Sequence, residues 1–172
     1  ILDDTVVVYA GDNGFFWGEH RLVDKRWPYE EAIRIPLIVR YPLMTADPGI
    51  PADQMALNID LAPTLLDLAG LHIPGNMEGS SLVPVLRDRS VKGREAFLYE
   101  YFKDFPYNVP EYLAVRTGRY KYIRYQGRRK NEIFDLANDP REMNNLLGTP
   151  EGDALLPELS ALMDRLTQGR GM

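Results

Sequence analysis

Four polar residues near the start of the sequence have side chains able to do chemistry: Asp12, Asn13, His20 and Lys25. Asp12 and Asn13 follow the apolar run Thr5–Tyr9 (TVVVY) and the pair Ala10-Gly11. A carboxylate and a side-chain amide oxygen are hard donors that suit Ca²⁺ or Mg²⁺ and suit zinc poorly. In open α/β sheets ligands bind beyond the carboxyl ends of the strands, where this pair falls. Taken locally, Asn13-Gly14 is also a common turn signal. The residues after it, Phe15-Phe16-Trp17-Gly18, do not alternate as the second strand of a hairpin would.

Lys25 carries a mobile point charge that suits sulfate or phosphate oxygens. At 4 Å and an effective dielectric of 20 such a pair attracts by about 4 kcal/mol before desolvation. Asp24-Lys25-Arg26 also reads as a solvated surface turn. His20 could donate a proton to a leaving group or touch a substrate; it could equally satisfy its hydrogen bonds locally. Tyr112, Tyr120, Tyr122 and Tyr125 lie among Arg116, Arg119 and Arg124. Aromatic and basic residues on a sheet can bind sugars or nucleic acid, and tyrosines in strands also pack across them.

No covalent nucleophile is visible. The sequence has no cysteine, which also excludes disulfides and thiolate metal sites. It has no Gly-rich phosphate loop and no G-x-S-x-G elbow. Ser80, Ser81, Ser90 and Ser160 stand in no nucleophile-like setting. The formal net charge of -5 argues against a general nucleic-acid binder, but leaves room for a local cationic pocket. No apolar run approaches the roughly 20 residues of a membrane span.

The elements that must position these residues can be read in part. Thr5–Tyr9 has the β-branched, continuous pattern of a strand buried on both faces of a parallel sheet. Pro36–Arg40 reads as a second strand, and the loop between the two is longer than a structureless connection in a compact domain should be. Leu61–Ala69 reads as a helix capped by Asp60 and ended by Gly70, with Ala62, Leu65, Leu66 and Ala69 as its buried stripe. His72–Ser81 reads as a loop. Strands are expected at Ala96–Tyr101, Tyr112–Thr117, Tyr120–Tyr125 and Glu132–Leu136, the middle two as a hairpin about Gly118. Leu155, Leu159, Leu162, Met163 and Leu166 share one face of a terminal helix, with Asp153 as a plausible cap. The expected fold class is α/β: the end of a sheet domain over 1–75, a connection over 76–89, and a small antiparallel sheet with a helix over 90–172. Ile1–Asp12 reads as the middle of a fold, so a natural start is expected upstream.

Thr5–Pro42, TVVVYAGDNGFFWGEHRLVDKRWPYEEAIRIPLIVRYP, resembles a signature region of type I sulfatases, members of the alkaline-phosphatase-like superfamily. That pattern is an apolar strand, (S/G)D(N/H)G, GEH or GQF, a lysine, then (Y/F)E-x-x-(I/T)-R-(V/I)-P-L-(I/L). DLAPTLLDLAG (60–70) and IFDLANDPREMNNL (133–146) resemble further sulfatase segments, so the likeness spans nearly the whole chain. It implies that Asp12 and Asn13 bind the active-site cation, usually Ca²⁺, and that Lys25 contacts substrate sulfate. It gives His20 no firm role. It also implies a formylglycine nucleophile, made from Cys or Ser in C/S-x-P/A-x-R, which these residues do not contain. Sulfated carbohydrates or aryl sulfates are the substrates implied, and a periplasmic or secreted setting. Two other readings stand beside this one. A phosphonate monoester or phosphodiester hydrolase shares the strand, the cation pair and the lysine. A non-catalytic module could oligomerise through the sheet edge at Thr5–Tyr9.

Overall fold

The computed structural model describes residues 1–45 and 48–168. In chain order the elements are β1 (Val7–Ala10), β2 (Phe16–Trp17), β3 (Val23–Asp24), α1 (Glu30–Ile33), β4 (Leu37–Arg40), α2 (Leu61–Leu68), α3 (Val83–Arg87), β5 (Ala96–Tyr101), β6 (Tyr112–Thr117), β7 (Tyr120–Tyr125), β8 (Glu132–Asp135) and α4 (Pro150–Gln168). They gather into two units. One joins Ile1–Asp12 to Ile35–Arg94; the other joins Asn13–Arg34 to the chain from Glu95 onward.

In the first unit β1 pairs with β4, with Val8 opposite Val39. The pairing is antiparallel, which corrects the expectation of a parallel neighbour; Val7, Val8 and Tyr9 are exposed in this chain, in line with the open edge expected at Thr5–Tyr9. A continuous apolar run reports that a strand is built for burial; it fixes neither direction nor what covers it. The helix α2 also departs from its expected stripe. Pro63 and Thr64 are buried, whereas Ala62, Leu65 and Ala69 are exposed. The reason is Thr64, whose hydroxyl accepts the Leu82 N–H at 2.8 Å and donates to the Asp60 carbonyl at 2.6 Å. That polar anchor turns a different face inward. Gly70 ends the helix as expected, with φ +68 and the Leu71 N–H returning to the Leu66 carbonyl.

Asp60 does not cap α2 through its side chain. Its fully buried carboxylate instead receives both Arg94 nitrogens, at 2.7 and 2.8 Å, and the N–H groups of Leu57 and Ser80. Burial pushes the Asp60 carboxyl up, but these donors, Arg94 foremost, hold it below the ordinary aspartate range.

The second unit is a four-stranded antiparallel sheet in the order β5-β6-β7-β8. Period-two alternation sends Ala114, Ile123 and Phe134 to one face and Val115, Tyr122 and Ile133 to the other. The first face packs on Phe16, Tyr29 and Ala32 of the 13–34 segment, the second on Leu159 and Met163 of α4. Tyr112, Tyr122 and Tyr125 are buried, so these tyrosines are packing residues. The helix α4 begins at Pro150 and its cap is Thr149, whose hydroxyl accepts the Gly152 N–H; Asp153 lies inside the first turn and accepts from Gly148 instead. Among the described residues no helix is long and apolar enough to cross a membrane.

Lys121 joins the sheet to the 13–34 segment. Its side chain is fully buried, with Nζ 2.8 Å from Glu30, 2.7 Å from Glu142 and 3.0 Å from the Pro28 carbonyl. Glu142 also accepts the Glu30 N–H at 2.6 Å. Burial pushes the Glu30 carboxyl up, but Lys121 and then Arg116 outweigh it and hold the group below the ordinary glutamate value. At Glu142 burial wins, and the carboxyl is held above that value. Removing the shared cation would strand two buried carboxylates. Lys121→Met is expected to cost roughly 3–5 kcal/mol in urea unfolding; a loss under about 1 kcal/mol, the scale of an exposed pair, would refute this account.

Asp135 sets an acid limit on the same sheet. Hydrogen bonds from Arg119, joined by the Ala137 N–H and Asn138, hold its carboxyl at about 2, against an ordinary 3.8. A carboxyl held low contributes stability above its unfolded value and loses it as pH falls toward the folded one. Asp60 acts in the same direction, whereas acid relieves Glu142. The urea midpoint should therefore drop between pH 3.8 and about 2, and Arg119→Ala should make the drop shallower; an equally steep drop in the variant would contradict the assignment.

Candidate functional site

Asp12 lies just past the β1–β4 ladder, which continues through the Gly11 N–H to the Pro36 carbonyl at 3.3 Å. The sheet therefore fixes the backbone that presents its exposed carboxylate. Asn13 donates its side-chain N–H to the Gly14 carbonyl at 2.9 Å, which orients the amide. Gly14 cannot be replaced: a Cβ there would stand 1.9 Å from the Glu31 carbonyl oxygen. Its N–H meets the Ala32 carbonyl at 2.7 Å, pinning the turn onto α1. Asn13-Gly14 is thus not the tip of a two-residue hairpin.

The expected long loop holds structure of its own. The strands β2 and β3 pair through Phe16 with Asp24 and Trp17 with Val23. The turn between them bends through left-handed backbone at Gly18, His20 and Arg21, and Asp24 follows with φ 86. Three non-glycine residues with positive φ in so short a stretch are uncommon, and such strain gathers where a site is shaped.

His20 is held by packing. Its ring stacks on Tyr29 at 4.2 Å, meets Phe16 edge-on, and places Nε2 3.4 Å from Glu31. Burial pushes the Tyr29 hydroxyl up to about 12, and the Glu132 carboxylate adds to this. A shallow cleft of about 310 Å³ opens here, lined by residues including His20, Arg21, Tyr29 and Glu132. Lys25, Asp12 and Asn13 do not line it.

Lys25 is half-buried at a corner clamped on both sides. Its N–H donates to the Asp24 carboxylate at 2.8 Å. Next to it, the Arg26 carbonyl accepts the Tyr112 hydroxyl at 3.0 Å. The Arg26 guanidinium pairs with Asp24, reaches Asp104 at 3.2 Å and lies 3.2 Å from the centre of the Tyr107 ring. Sequence reasoning singled out Lys25 as a candidate but gave no sign of this clamp. Its parts lie up to 86 residues apart, and no local pattern marks them.

The donors suit a divalent cation by type: an exposed carboxylate and, next to it in the sequence, an oriented amide. By number they fall short, since Ca²⁺ takes 6–8 oxygens. Among the described residues no group of three or more His, Asp or Glu is placed to hold a metal.

Comparison with known proteins agrees with this architecture. An N-acetylglucosamine-6-O-sulfatase from Bacteroides thetaiotaomicron is 40% identical over 95% of this chain and 30% of its own length. Arylsulfatase K from Mus musculus is 32% identical over 85% of the chain and 27% of its own length. A protein solved with its substrate D-glucosamine-2-N,6-O-disulfate superposes with a TM-score of 0.90 at 38% identity, over 97% of this chain and 35% of that one. A phosphonate monoester hydrolase from Silicibacter pomeroyi superposes with a TM-score of 0.80 at 26% identity, over 98% and 35%. The chain therefore spans about a third of the length of the proteins it matches. The fold is that of the sulfatases of the alkaline-phosphatase-like superfamily. More narrowly, residues 18–169 match the family described as N-sulphoglucosamine sulphohydrolase, C-terminal, and the chain belongs to it.

Two neighbouring donors should hold Ca²⁺ weakly. Calorimetric titration of the 172-residue chain is expected to give a dissociation constant weaker than about 10⁻³ M, the weak end for built calcium sites. Micromolar binding would show that further ligands come from this chain.

Proposed function

We propose that this chain is the sulfate-holding and cation-contributing part of a sulfuric ester hydrolase acting on sulfated saccharides. The observation that carries the reading is its 40% identity, across 95% of its residues, to an N-acetylglucosamine-6-O-sulfatase. The Lys25 ammonium would sit against sulfate oxygens, where charge builds as the ester cleaves. Its clamped backbone would reduce the reorganisation this requires. Asp12 and Asn13 would give oxygen ligands to Ca²⁺ or Mg²⁺. The cation would supply Lewis-acid neutralisation of sulfate charge when bound. The attacking group would be a formylglycine elsewhere in the polypeptide. We assign His20 a supporting place, bracing the hairpin that carries Lys25 against Tyr29 and Glu31.

Phosphonate monoester hydrolysis is the second reading, favoured by the superposition on the Silicibacter pomeroyi enzyme. The Gly18-Glu19-His20-Arg21 text leans toward sulfatases. The gene product that contains these residues should therefore be assayed on D-glucosamine 6-sulfate and on a phosphonate monoester in parallel. The sulfate ester is expected to turn over faster. Lys25→Ala and Asp12→Ala should each lower kcat/KM by about 100-fold or more. Unchanged turnover in Lys25→Ala would sink the role of that lysine, and faster phosphonate cleavage would sink the class.

A further inference from the structure

We infer that the loop Phe102–Val109, between β5 and β6, is a saccharide-selecting wall beside Lys25. In this reading Phe102 and Phe105 present the rings that receive the sugar face. The inference rests on the proposed sulfatase reading and adds a specificity element to it.

The loop carries an unusual load for exposed chain. Phe102, Phe105 and Tyr107 are 69%, 90% and 42% exposed. One exposed ring is ordinary, but three within six residues, two of them more than two-thirds exposed, concentrate apolar surface in one short loop. Lys103 stands among them and is exposed, adding a cation. Aromatic faces carry negative charge density, and the axial C–H bonds of a pyranose carry the complementary positive end. Rings with a neighbouring ammonium therefore match a sugar that bears sulfate. They would match a bare inorganic anion no better than the ammonium alone.

The loop is also tied to Arg26, the residue after Lys25. The Asp104 carboxylate and the Tyr107 ring both hold the Arg26 guanidinium, each at 3.2 Å. The Tyr107 N–H closes a turn onto the Asp104 carbonyl at 2.9 Å, and the Lys103 N–H reaches Glu111 at 3.1 Å. Arg26 follows Lys25 directly, so the clamp that sets the lysine sets the loop. Phe102 and Phe105 take no part in the clamp. They can be changed without loosening Lys25.

The test is calorimetry on the gene product that contains this chain, with inorganic sulfate and D-glucosamine 6-sulfate as probes. The unchanged protein should bind the sugar sulfate more tightly than sulfate. In the double variant Phe102→Ala, Phe105→Ala the sugar sulfate should bind about tenfold more weakly, the scale of one stacked ring. Inorganic sulfate should bind as before, and the thermal midpoint should not move. Phe105→Trp should keep the preference for the sugar. Lys25→Ala should weaken both probes. A double variant that keeps its preference, or that loses both probes equally, overturns the inference while leaving the sulfatase reading intact. An unchanged protein that binds neither probe overturns both.

Discussion

A single buried ammonium holds the second unit of this molecule together. Lys121 is a strand residue opposite Phe134, yet its Nζ lies among Glu30, Glu142 and a backbone carbonyl. A charge in that position is tolerable only because it is paired and hydrogen-bonded. The pairing draws α1 onto the sheet, and α1 in turn carries the Ala32 carbonyl that pins Gly14 and the Glu31 carboxylate that meets His20. The hairpin bearing Lys25 is braced by these contacts. The electrostatics of the core and the placement of the candidate site are therefore one problem with one solution.

The sheet explains why this works. Each of its faces is covered, one by the 13–34 segment and one by α4. A one-residue slip would exchange the two sets of side chains, so register is fixed twice over. Against so rigid a backing, a short loop can hold strained backbone at His20, Arg21 and Asp24 without relaxing. The Arg26 clamp then transfers that rigidity to the residue beside it.

How much of this could be read from the sequence depended on range. The strands of the second sheet were legible because turn residues and period-two runs are local signals, and Gly70 announced the end of α2. Asp12-Asn13 and Lys25 stood out only through ordered motifs; locally Asn13-Gly14 looked like a turn. Lys121 and Glu142 were invisible, since charged residues read as surface unless their partners are known. Arg26 was invisible for the same reason, its partner Asp104 lying 78 residues away. Burial of α2 was misjudged because a threonine hydroxyl, not an apolar stripe, chose the inward face.

The chain crosses between its two units after Asp12, after Arg34 and after Arg94. During synthesis the stretches Ile1–Asp12 and Ile35–Arg94 are both available to pair once Arg94 has emerged. The 13–34 segment by then has been looped out, with Phe16, Tyr29 and Ala32 still lacking the strands they pack on. Those strands begin at Ala96, so the residues around Lys25 leave the ribosome roughly 70 residues ahead of the strands their neighbours pack on. Long-range closure of this kind is slow and leaves apolar surface waiting. The nascent 13–34 segment thus carries apolar side chains whose partners arrive only with β6, β7 and β8.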